Sequence, residues 1–252
     1  MVASCPVASC PQDHVLTLET IIVSPFQQNS RIIIESQRRI GSIVDPGGDI
    51  PSILAAMDRA ESDLPGLVWE SIVLTHAHID HAGGVLTLQR ALESRGRPAP
   101  KLYGHALDRP LREAIRSQAL LFSLPPDEYQ NCPEPDVLIQ DGDRFLIGER
   151  EGTVLFTPGH APGHVSVYFP EGDFTIRDGG ETTTFKAPVV IAGDALFYGS
   201  IGRTDLPFGD TETLLASIRE KLFTLPDETI VLTGHGPSTT IGRERKLNPF
   251  FN

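Results

Sequence analysis

The segment Thr75-His-Ala-His-Ile-Asp-His-Ala-Gly-Gly84 places three histidines and one aspartate within six positions. The residues just before it, 69–75 (WESIVLT), are a short apolar run that predicts a buried strand. After it, Val85, Leu88 and Leu92 have the i, i+3, i+7 spacing of a helix with one apolar face. The segment is therefore predicted to lie in the turn from a strand into a helix, where folds of this kind place their chemistry.

The residue types of this segment indicate metal binding. Neutral imidazoles and carboxylates are ligands for zinc, iron or manganese, and the segment contains no thiol. His76 and His78 alternate and so share one side of an extended segment, whereas Asp80 and His81 follow after the chain turns. Two ligand groups that point in different directions favour two adjacent metal ions over one. The alternative is a solvated polar loop, but with eight histidines in 252 residues such a cluster arises by chance on the order of once in a thousand.

Composition and charge exclude several classes of partner. A hydrophobic content of 40% with 21% charged residues is ordinary for a soluble globular protein. The formal net charge is −12 and the sequence has no basic stripe, which argues against nucleic acid and anionic membranes as partners. The sequence also has no apolar run of the ~18 residues that span a membrane. We therefore expect neither nucleic acid nor a membrane as a partner, and make no prediction about the oligomeric state.

The cysteines and the N-terminal residues bear on location and domain organisation. Three cysteines, an odd number, give no disulfide framework and fit a reducing compartment, so a cytoplasmic location is predicted. The motif VASCP occurs twice in tandem, at 2–6 and 7–11, without the charged and apolar regions of a signal peptide. A lipoprotein-like or metal-binding role is the alternative to the disordered extension that we predict over 1–14. Residues 15–252 are predicted to form a single α/β domain.

Four apolar strands are predicted to end in a histidine or an aspartate. They lead to His76, His160, Asp194 and His235. Strand ends align on one edge of a parallel or mixed sheet, so these side chains are predicted to meet there. His164 opens the next strand, and we expect it to support the turn 157–164 rather than bind metal. His105 has no partner at ligand spacing and is predicted to be a surface or supporting residue.

Two further polar residues each have two interpretations. Asp45 opens the turn 45–48 (DPGG), where it either accepts a hydrogen bond from a metal-bound histidine or forms an Asx-turn. Arg203, in the Gly-rich turn 199–207, either pairs with a substrate carboxylate in the fork geometry of guanidinium or forms an internal ion pair with Asp205.

The remaining patterns outline the rest of the secondary structure. Further strands are predicted at 15–23, 31–35, 40–45, 101–105, 137–140, 145–148, 153–157, 165–169, 189–192 and 229–233. Asp49 and Asp210 are predicted to cap helices, and a third helix carries Leu111 and Ile115. The polar stretch 171–186 is predicted to be a hairpin or a flexible insertion.

Seven residues together resemble the motifs of the metallo-β-lactamase superfamily, in order and context, over nearly the whole chain. They are His76, His78, Asp80, His81, His160, Asp194 and His235. The resemblance implies an αββα sandwich, in which two mixed sheets pack face to face with helices outside, and a dinuclear site at its edge. One metal would be held by His76, His78 and His160, the other by Asp80, His81 and His235, with Asp194 bridging. Two divalent ions per chain are implied, zinc first, with iron or manganese as alternatives.

Residues 202–205 (GRTD), 234–237 (GHGP) and 243–249 (RERKLNP) are more narrowly similar to the short glyoxalase II-like bacterial hydrolases. That similarity implies cleavage of a thioester of the acyl-glutathione type by a metal-bridging hydroxide, with Asp80 as a catalytic proton relay. Full-length glyoxalase II enzymes continue into a helical domain that binds glutathione, whereas this sequence ends 17 residues after His235. We therefore expect the substrate pocket to be built from the loops 26–29, 124–134 and 203–208, with Arg203 as its anchoring cation.

Two other functions remain open from the sequence. Persulfide dioxygenases share the H-x-H-x-D-H loop and the Gly-Arg-Thr-Asp segment, and use one iron at the positions of His76, His160 and Asp194. The third possibility is a metal-binding protein without catalysis. The identity and number of the bound metal ions would separate these functions.

Overall fold

The computed structural model describes residues 15–251. Their strands, in chain order, are β1 (Leu16–Val23), β2 (Gln28–Glu35), β3 (Ile40–Val44), β4 (Val68–Val73), β5 (Lys101–Gly104), β6 (Val137–Leu138), β7 (Arg144–Ile147), β8 (Arg150–Phe156), β9 (Val165–Asp178), β10 (Glu181–Gly193), β11 (Leu196–Phe197), β12 (Ser200–Ile201), β13 (Ile230–Thr233) and β14 (Thr239–Thr240). The α-helices are α1 (Ile50–Asp63), α2 (Ile79–Ala82), α3 (Val85–Ser94), α4 (Arg109–Leu121), α5 (Thr211–Ser217) and α6 (Ile241–Leu247). A 3₁₀ turn (Ala106–Asp108) precedes α4, and a π-helical turn (Ile218–Leu222) follows α5.

The strands form two half-sheets that are joined by hydrogen bonds. The order is β14-β13-β10-β9-β1-β2-β3-β4-β5-β6, with β8 also paired to β9 and β7 paired to β8. The first residues of the long strand β9 pair with β8, while Phe174–Arg177 pair in parallel with Leu16–Glu19 of β1. The two mixed sheets of the predicted sandwich are therefore continuous with each other through β9. A strand of 14 residues is long enough to belong to both halves.

Three apolar clusters show how the layers pack. Because side chains alternate along a strand, Ile32 and Ile33 of β2 point to opposite faces of the sheet. One cluster joins the first half-sheet to α1, α3 and α4, and includes Ile32, Ile43, Ile72, Ile53, Leu88 and Ile115. A second lies between the half-sheets and includes Ile33, Val44, Val73, Phe169, Val189 and Leu232. A third joins the second half-sheet to α5, the π turn and α6, and includes Val190, Val231, Leu214, Ile218 and Ile241. The predicted αββα architecture is confirmed.

Most predicted elements are confirmed, with small differences at their ends. Residues 171–186 form the hairpin of β9 and β10, which turns at Gly179 and Gly180. The strand predicted at 137–140 extends only over 137–138. Asp210 caps α5 by accepting from Thr213 N at 2.7 Å. Asp49 stands at the start of α1 but makes no capping bond, because its carboxylate accepts from Ser24 N at 2.6 Å instead.

Within residues 15–251 no helix has the length and apolar character needed to cross a membrane. The tandem VASCP repeat and the extension predicted over 1–14 lie outside the described residues. The assignment of 15–252 to a single domain stays a prediction, in keeping with the one sheet that connects residues 16 to 240.

Candidate metal centre

The ends of four strands bring the predicted ligands to one edge of the sandwich. Strand β4 leads to the 75–81 loop, β8 to the turn 157–164, β10 to Asp194 and β13 to His235. Strand β10 is parallel to β13, so Asp194 and His235 leave the same end of neighbouring strands. The loop that follows β4 is attached to the other half-sheet by a backbone bond from Val165 N to Thr75 O of 2.8 Å.

The first ligand group consists of His76, His78 and His160, all buried. His160 Nε2 lies 2.9 Å from His78 Nδ1 and 3.2 Å from His76 Nε2. Nitrogens at zinc–ligand distances around a tetrahedral ion are separated by about 3.3 Å, so this spacing fits a shared cation. Burial, reinforced by the neighbouring imidazoles, lowers the pKa of all three histidines, that of His78 to about 3. They are therefore neutral, with lone pairs available for a metal.

The second group consists of Asp80, His81 and His235. His235 Nε2 lies 3.1 Å from Asp80 Oδ2, and His81 Nε2 lies 3.8 Å from the same oxygen. Asp194 stands between the two groups, with Oδ1 3.3 Å from His81 and Oδ2 3.4 Å from His160 and 3.5 Å from His235. This is the position that a bridging carboxylate would occupy.

The electrostatics of the buried centre fit cations. Burial raises the pKa of the Asp194 carboxyl, but the imidazoles of His81, His160 and His235 outweigh this and hold it far below its ordinary value. Burial lowers the pKa of His81, yet the carboxylates of Asp194 and Asp80 raise it overall. His81 Nε2 and Asp194 Oδ1 are buried and find no hydrogen-bond partner within the described chain. These two atoms face each other 3.3 Å apart without a well-directed hydrogen bond, an arrangement that two ligand atoms of one metal ion would also show.

Four of the histidines have their outer ring nitrogen fixed by an oxygen. The pairs are His76 Nδ1 with Thr75 Oγ1 (3.1 Å), His81 Nδ1 with Asp45 Oδ2 (3.0 Å), His160 Nδ1 with Arg203 O (2.7 Å) and His235 Nδ1 with Phe26 O (3.1 Å). A carbonyl or carboxylate at Nδ1 selects the tautomer whose Nε2 lone pair faces inward. The orientations of these four rings are thus set by the protein before any metal binds.

Asp45 takes the first of its two predicted roles. Its carboxylate accepts from Thr75 N and Thr75 Oγ1, both at 2.7 Å, and faces His81 Nδ1. These bonds join the turn after β3 to the start of the ligand loop. The Asp45 carboxylate is therefore bonded to the loop 75–81 and does not form an Asx-turn.

Among residues 15–251, the two histidines outside the proposed ligands behave as the sequence predicted. His164 Nδ1 lies 2.8 Å from Thr157 Oγ1, and its Nε2 accepts from Asp194 N at 3.0 Å. His164 therefore supports the backbone of the bridging position. His105 accepts from Leu107 N at 3.3 Å and stacks on Phe156, outside the ligand groups found among the described residues.

Asp108 is a supporting residue that sequence reasoning missed. It is buried, and its oxygens accept from Ala77 N at 2.9 Å and from Gly163 N at 2.6 Å. It thus connects the loop of His76 and His78 to the turn of His160. Burial raises the pKa of this carboxyl to about 6. Its place before Arg109-Pro110 resembles an ordinary helix cap, which is the only signal that the sequence offers.

Asparagine at position 108 should loosen the centre without unfolding the protein. Asp108→Asn keeps one acceptor oxygen but turns an amide N–H₂ toward a backbone donor, so one of the two loop contacts is lost. We expect metal affinity to fall about 10- to 100-fold, the usual effect of losing a supporting hydrogen bond. Competition with a chelator measures this. Unchanged metal affinity would show that the hydrogen bonds of Asp108 to the two loops are not needed for metal binding.

Two glycines allow the loops to approach each other this closely. A Cβ at Gly47 would lie 1.5 Å from the backbone oxygen of Asp80. A Cβ at Gly234 would lie 2.0 Å from Asp194 Oδ1. Glycine is thus required where the chain passes against the ligands.

A cavity of about 440 Å³ opens on the centre. Two of the three predicted loops line it, through Phe26, Arg203 and Leu206. The prediction for 124–134 is wrong: none of its residues lines the cavity, and Gln118 and Phe122 of the α4 region take that place. The physical reason is that the 124–134 segment packs into the first apolar cluster, where Tyr129 and Cys132 are buried. Its backbone is held there by bonds from Gln130 N to Gly83 O and from Cys132 N to Arg112 O. A larger recess of about 690 Å³ shares none of its lining residues with the centre.

Arg203 lines the cavity, but its guanidinium is engaged. Nε and Nη2 donate to the two oxygens of Asp205, both at 2.8 Å. We predicted an internal ion pair as the alternative to substrate binding; this pair is at the surface, with 61% and 70% of the two side chains exposed. A substrate carboxylate would have to displace Asp205.

Replacing Arg203 separates its two roles. As an anchor, Arg203→Ala would raise KM for an acyl-glutathione at least about tenfold with kcat unchanged, and Arg203→Lys would fail to restore the fork. As a surface ion pair it would change the free energy of unfolding by less than about 1 kcal/mol. Because the guanidinium is already paired with Asp205, we expect KM of Arg203→Ala to stay within about threefold of that of the unaltered protein. A tenfold rise would establish the anchoring role.

Comparisons with known proteins identify the family. Residues 23–177 and 178–235 match the metallo-beta-lactamase superfamily model. The hydroxyacylglutathione hydrolase GloC of Haemophilus influenzae is 35% identical over 244 residues, which cover 94% of this chain and 99% of that protein. Two crystal structures are similar: BLEG-1 B3 metallo-beta-lactamase (32% identity, TM-score 0.73, 93% and 99% of the two chains) and TTHA1623 in a di-iron-bound form (35%, 0.70, 92% and 98%). This chain belongs to the metallo-beta-lactamase superfamily.

Proposed function

We propose that this protein is a metal-dependent hydrolase that cleaves a thioester of the acyl-glutathione type. The observation that carries the proposal is the pair of ligand groups with Asp194 between them, at the floor of a cavity large enough for a small molecule. The similarity to GloC, which is named as a hydroxyacylglutathione hydrolase, supports this choice of substrate. A cytoplasmic location, inferred from the cysteine content, is part of the same proposal.

The proposed ligands are those assigned from the resemblance. His76, His78 and His160 would hold one ion, and Asp80, His81 and His235 the other, with Asp194 shared between them. Nitrogen and oxygen donors without sulfur suit zinc, which we propose first, and also iron or manganese. The di-iron form of TTHA1623 makes iron the main alternative. Bound divalent ions would supply hydroxide near neutral pH and stabilise negative charge on the acyl oxygen.

The side chains of the protein position the reactants and accept the proton of the attacking water. Water adds to the acyl carbon, the C–S bond breaks with its electron pair on sulfur, and the products are a carboxylic acid and a thiol. Asp80 lines the cavity and is 16% exposed, so its carboxylate can take the proton from the attacking water. Its pKa is held below the ordinary value: burial raises it, but His81 and His235 outweigh that effect. Asp80 is thus ionised and, as a proton relay, can pass the proton on to the departing sulfur.

A persulfide dioxygenase is the second candidate, since His76, His160 and Asp194 also converge. His160 Nε2 lies 3.2 Å from His76 Nε2 and 3.4 Å from Asp194 Oδ2. That reaction needs one iron, however, and would leave the second group of Asp80, His81 and His235 without a purpose. The hydrolase uses both groups, and for this reason we place it first.

The decisive experiment measures metal stoichiometry and activity on the same samples. Protein loaded separately with zinc, iron or manganese is analysed for metal content and assayed with an acyl-glutathione by thiol release. Two ions per chain with thiol release are expected. One iron per chain, with oxygen consumed in the presence of glutathione persulfide and no thioester cleavage, would establish the dioxygenase. Bound metal without either reaction would indicate a non-catalytic role.

A further inference from the structure

The cavity over the metal centre is unusually poor in groups that could recognise an anion. Of its fourteen lining residues, five are proposed metal ligands, and six of the other nine are apolar. The apolar residues are Phe26, Ile79, Phe122, Phe197, Ile201 and Leu206. Gln118 and Ser200 are neutral, and the cation of Arg203 is held in its fork with Asp205. Such a lining selects ligands by apolar contact.

An aromatic wall stands on one side of this cavity. The rings of Phe26 and Phe122 meet edge to face, with centroids 5.7 Å apart and planes at 78°. Both rings keep exposed area, 38% for Phe26 and 51% for Phe122. Aromatic pairs of this geometry present further faces and edges on which another apolar group can pack.

The wall has a fixed position relative to the metal centre. The carbonyl oxygen of Phe26 accepts from Nδ1 of His235, 3.1 Å away. The backbone of Gln28, two residues on, bridges to that of His235, and Asn29 N donates to Gly234 O at 2.8 Å. An apolar group seated on the wall would therefore hold the reacting carbonyl at a defined distance from the ligands.

Charge also disfavours recognition of the glutathione part. A glutathione moiety carries two carboxylates and one ammonium group and is net negative, and the protein has a formal net charge of −12. In the lining, Asp80 and Asp194 are acidic, and the proposed ions would carry more positive charge than these two carboxylates remove. That charge would face the reacting carbonyl, and away from it Arg203 is the one cation among the residues that line the cavity. The carboxylates of the thiol part thus gain little from this surface.

We propose that the cavity selects its thioesters by an apolar acyl group, alkyl or aryl, packed against the wall of Phe26 and Phe122. The thiol part then contributes little to specificity, and neutral thiols serve as well as glutathione. This inference rests on the proposed thioester hydrolysis and names the substrate class for it.

The test uses four substrates, the phenylacetyl and acetyl thioesters of glutathione and of N-acetylcysteamine, with the metal-loaded protein. We expect the phenylacetyl substrate to have about tenfold or higher kcat/KM in both thiol series, because a hydrophobic pocket discriminates on this scale. Exchange of the thiol should change kcat/KM by less than about threefold. Selectivity that follows the thiol and ignores the acyl group would overturn the proposal.

Two variants locate the selectivity. Phe122→Ala should reduce the ratio of phenylacetyl to acetyl kcat/KM about tenfold. The matched control is Leu121→Ala, since Leu121 is the neighbouring residue, is 79% exposed and does not line the cavity. Its ratio should equal that of the unaltered protein. If the ratio of phenylacetyl to acetyl kcat/KM fell equally in both variants, or fell in neither, the role of the wall would be contradicted.

Direct binding separates failure of this inference from failure of the proposed function. If no thioester is cleaved, thioester hydrolysis is wrong, and calorimetric titration with phenylacetate and acetate then tests the wall alone. Binding of phenylacetate at least tenfold tighter than acetate, lost in Phe122→Ala, would support apolar selection. Equal affinity for the two acids would overturn it.

Discussion

Replacing Asp194 by alanine should reduce the affinity for both metal ions and lower kcat/KM by at least about 10²- to 10³-fold, the scale expected when one electrostatic group of a reaction site is removed. The physical reason is its position between the two ligand groups, 3.3–3.5 Å from His81, His160 and His235. With this carboxylate gone, each group keeps only its own three side chains. Metal content after dialysis and thioester turnover measure the two effects.

A second variant makes this prediction specific. His235→Ala removes a ligand from the second group alone. The side chain of His235 is also more exposed than that of Asp194, 27% against 9%. We expect this variant to retain about one ion per chain, whereas Asp194→Ala weakens both. His105→Ala is the control, because His105 lies outside the ligand groups. Equal metal content and full activity in Asp194→Ala and His235→Ala would refute the dinuclear assignment.

Replacing Asp45 by alanine should destabilise the fold as well as the centre. The change leaves Thr75 N–H, the Thr75 hydroxyl and His81 Nδ1 without their acceptor in a region where Asp45 is 2% and His81 0% exposed. Removing one partner of a buried charged contact costs about 3–5 kcal/mol of unfolding free energy. Metal affinity should also fall about 10- to 100-fold, because the His81 ring loses its orientation.

Denaturant titration with and without a chelator separates the two contributions to the Asp45 effect. The loss measured with chelator comes from the hydrogen bonds, and the additional loss with zinc comes from weaker metal binding. Asp127→Ala serves as the control, because Asp127 is exposed and a surface change of this kind stays within about 0.5 kcal/mol. If Asp45→Ala were as stable as this control, the Asx-turn interpretation would be restored.

Local patterns in the sequence were sufficient to predict most strands and the ligand candidates, and the family resemblance implied the order of layers. Apolar runs such as 189–192 and 229–233 are short and end at glycine, so each strand and its end can be recognised from adjacent residues. The seven candidate ligands stand at such ends, and the structure brings all of them together. The αββα architecture and the superfamily resemblance are confirmed.

The tertiary structure alone decided which residues support the centre and shape its cavity. Asp45 meets His81 across 36 residues, and Asp108 meets Gly163 across 55. Phe122, and not the segment 124–134, joins Phe26 in the cavity wall. A hydrogen bond or ring contact between distant residues depends on how whole layers pack, whereas periodicity and capping signals depend on neighbours in the chain. The sequence by itself thus determined the candidate ligands and, through the resemblance, the sandwich, while the positions of the supporting carboxylates and the aromatic wall came from packing.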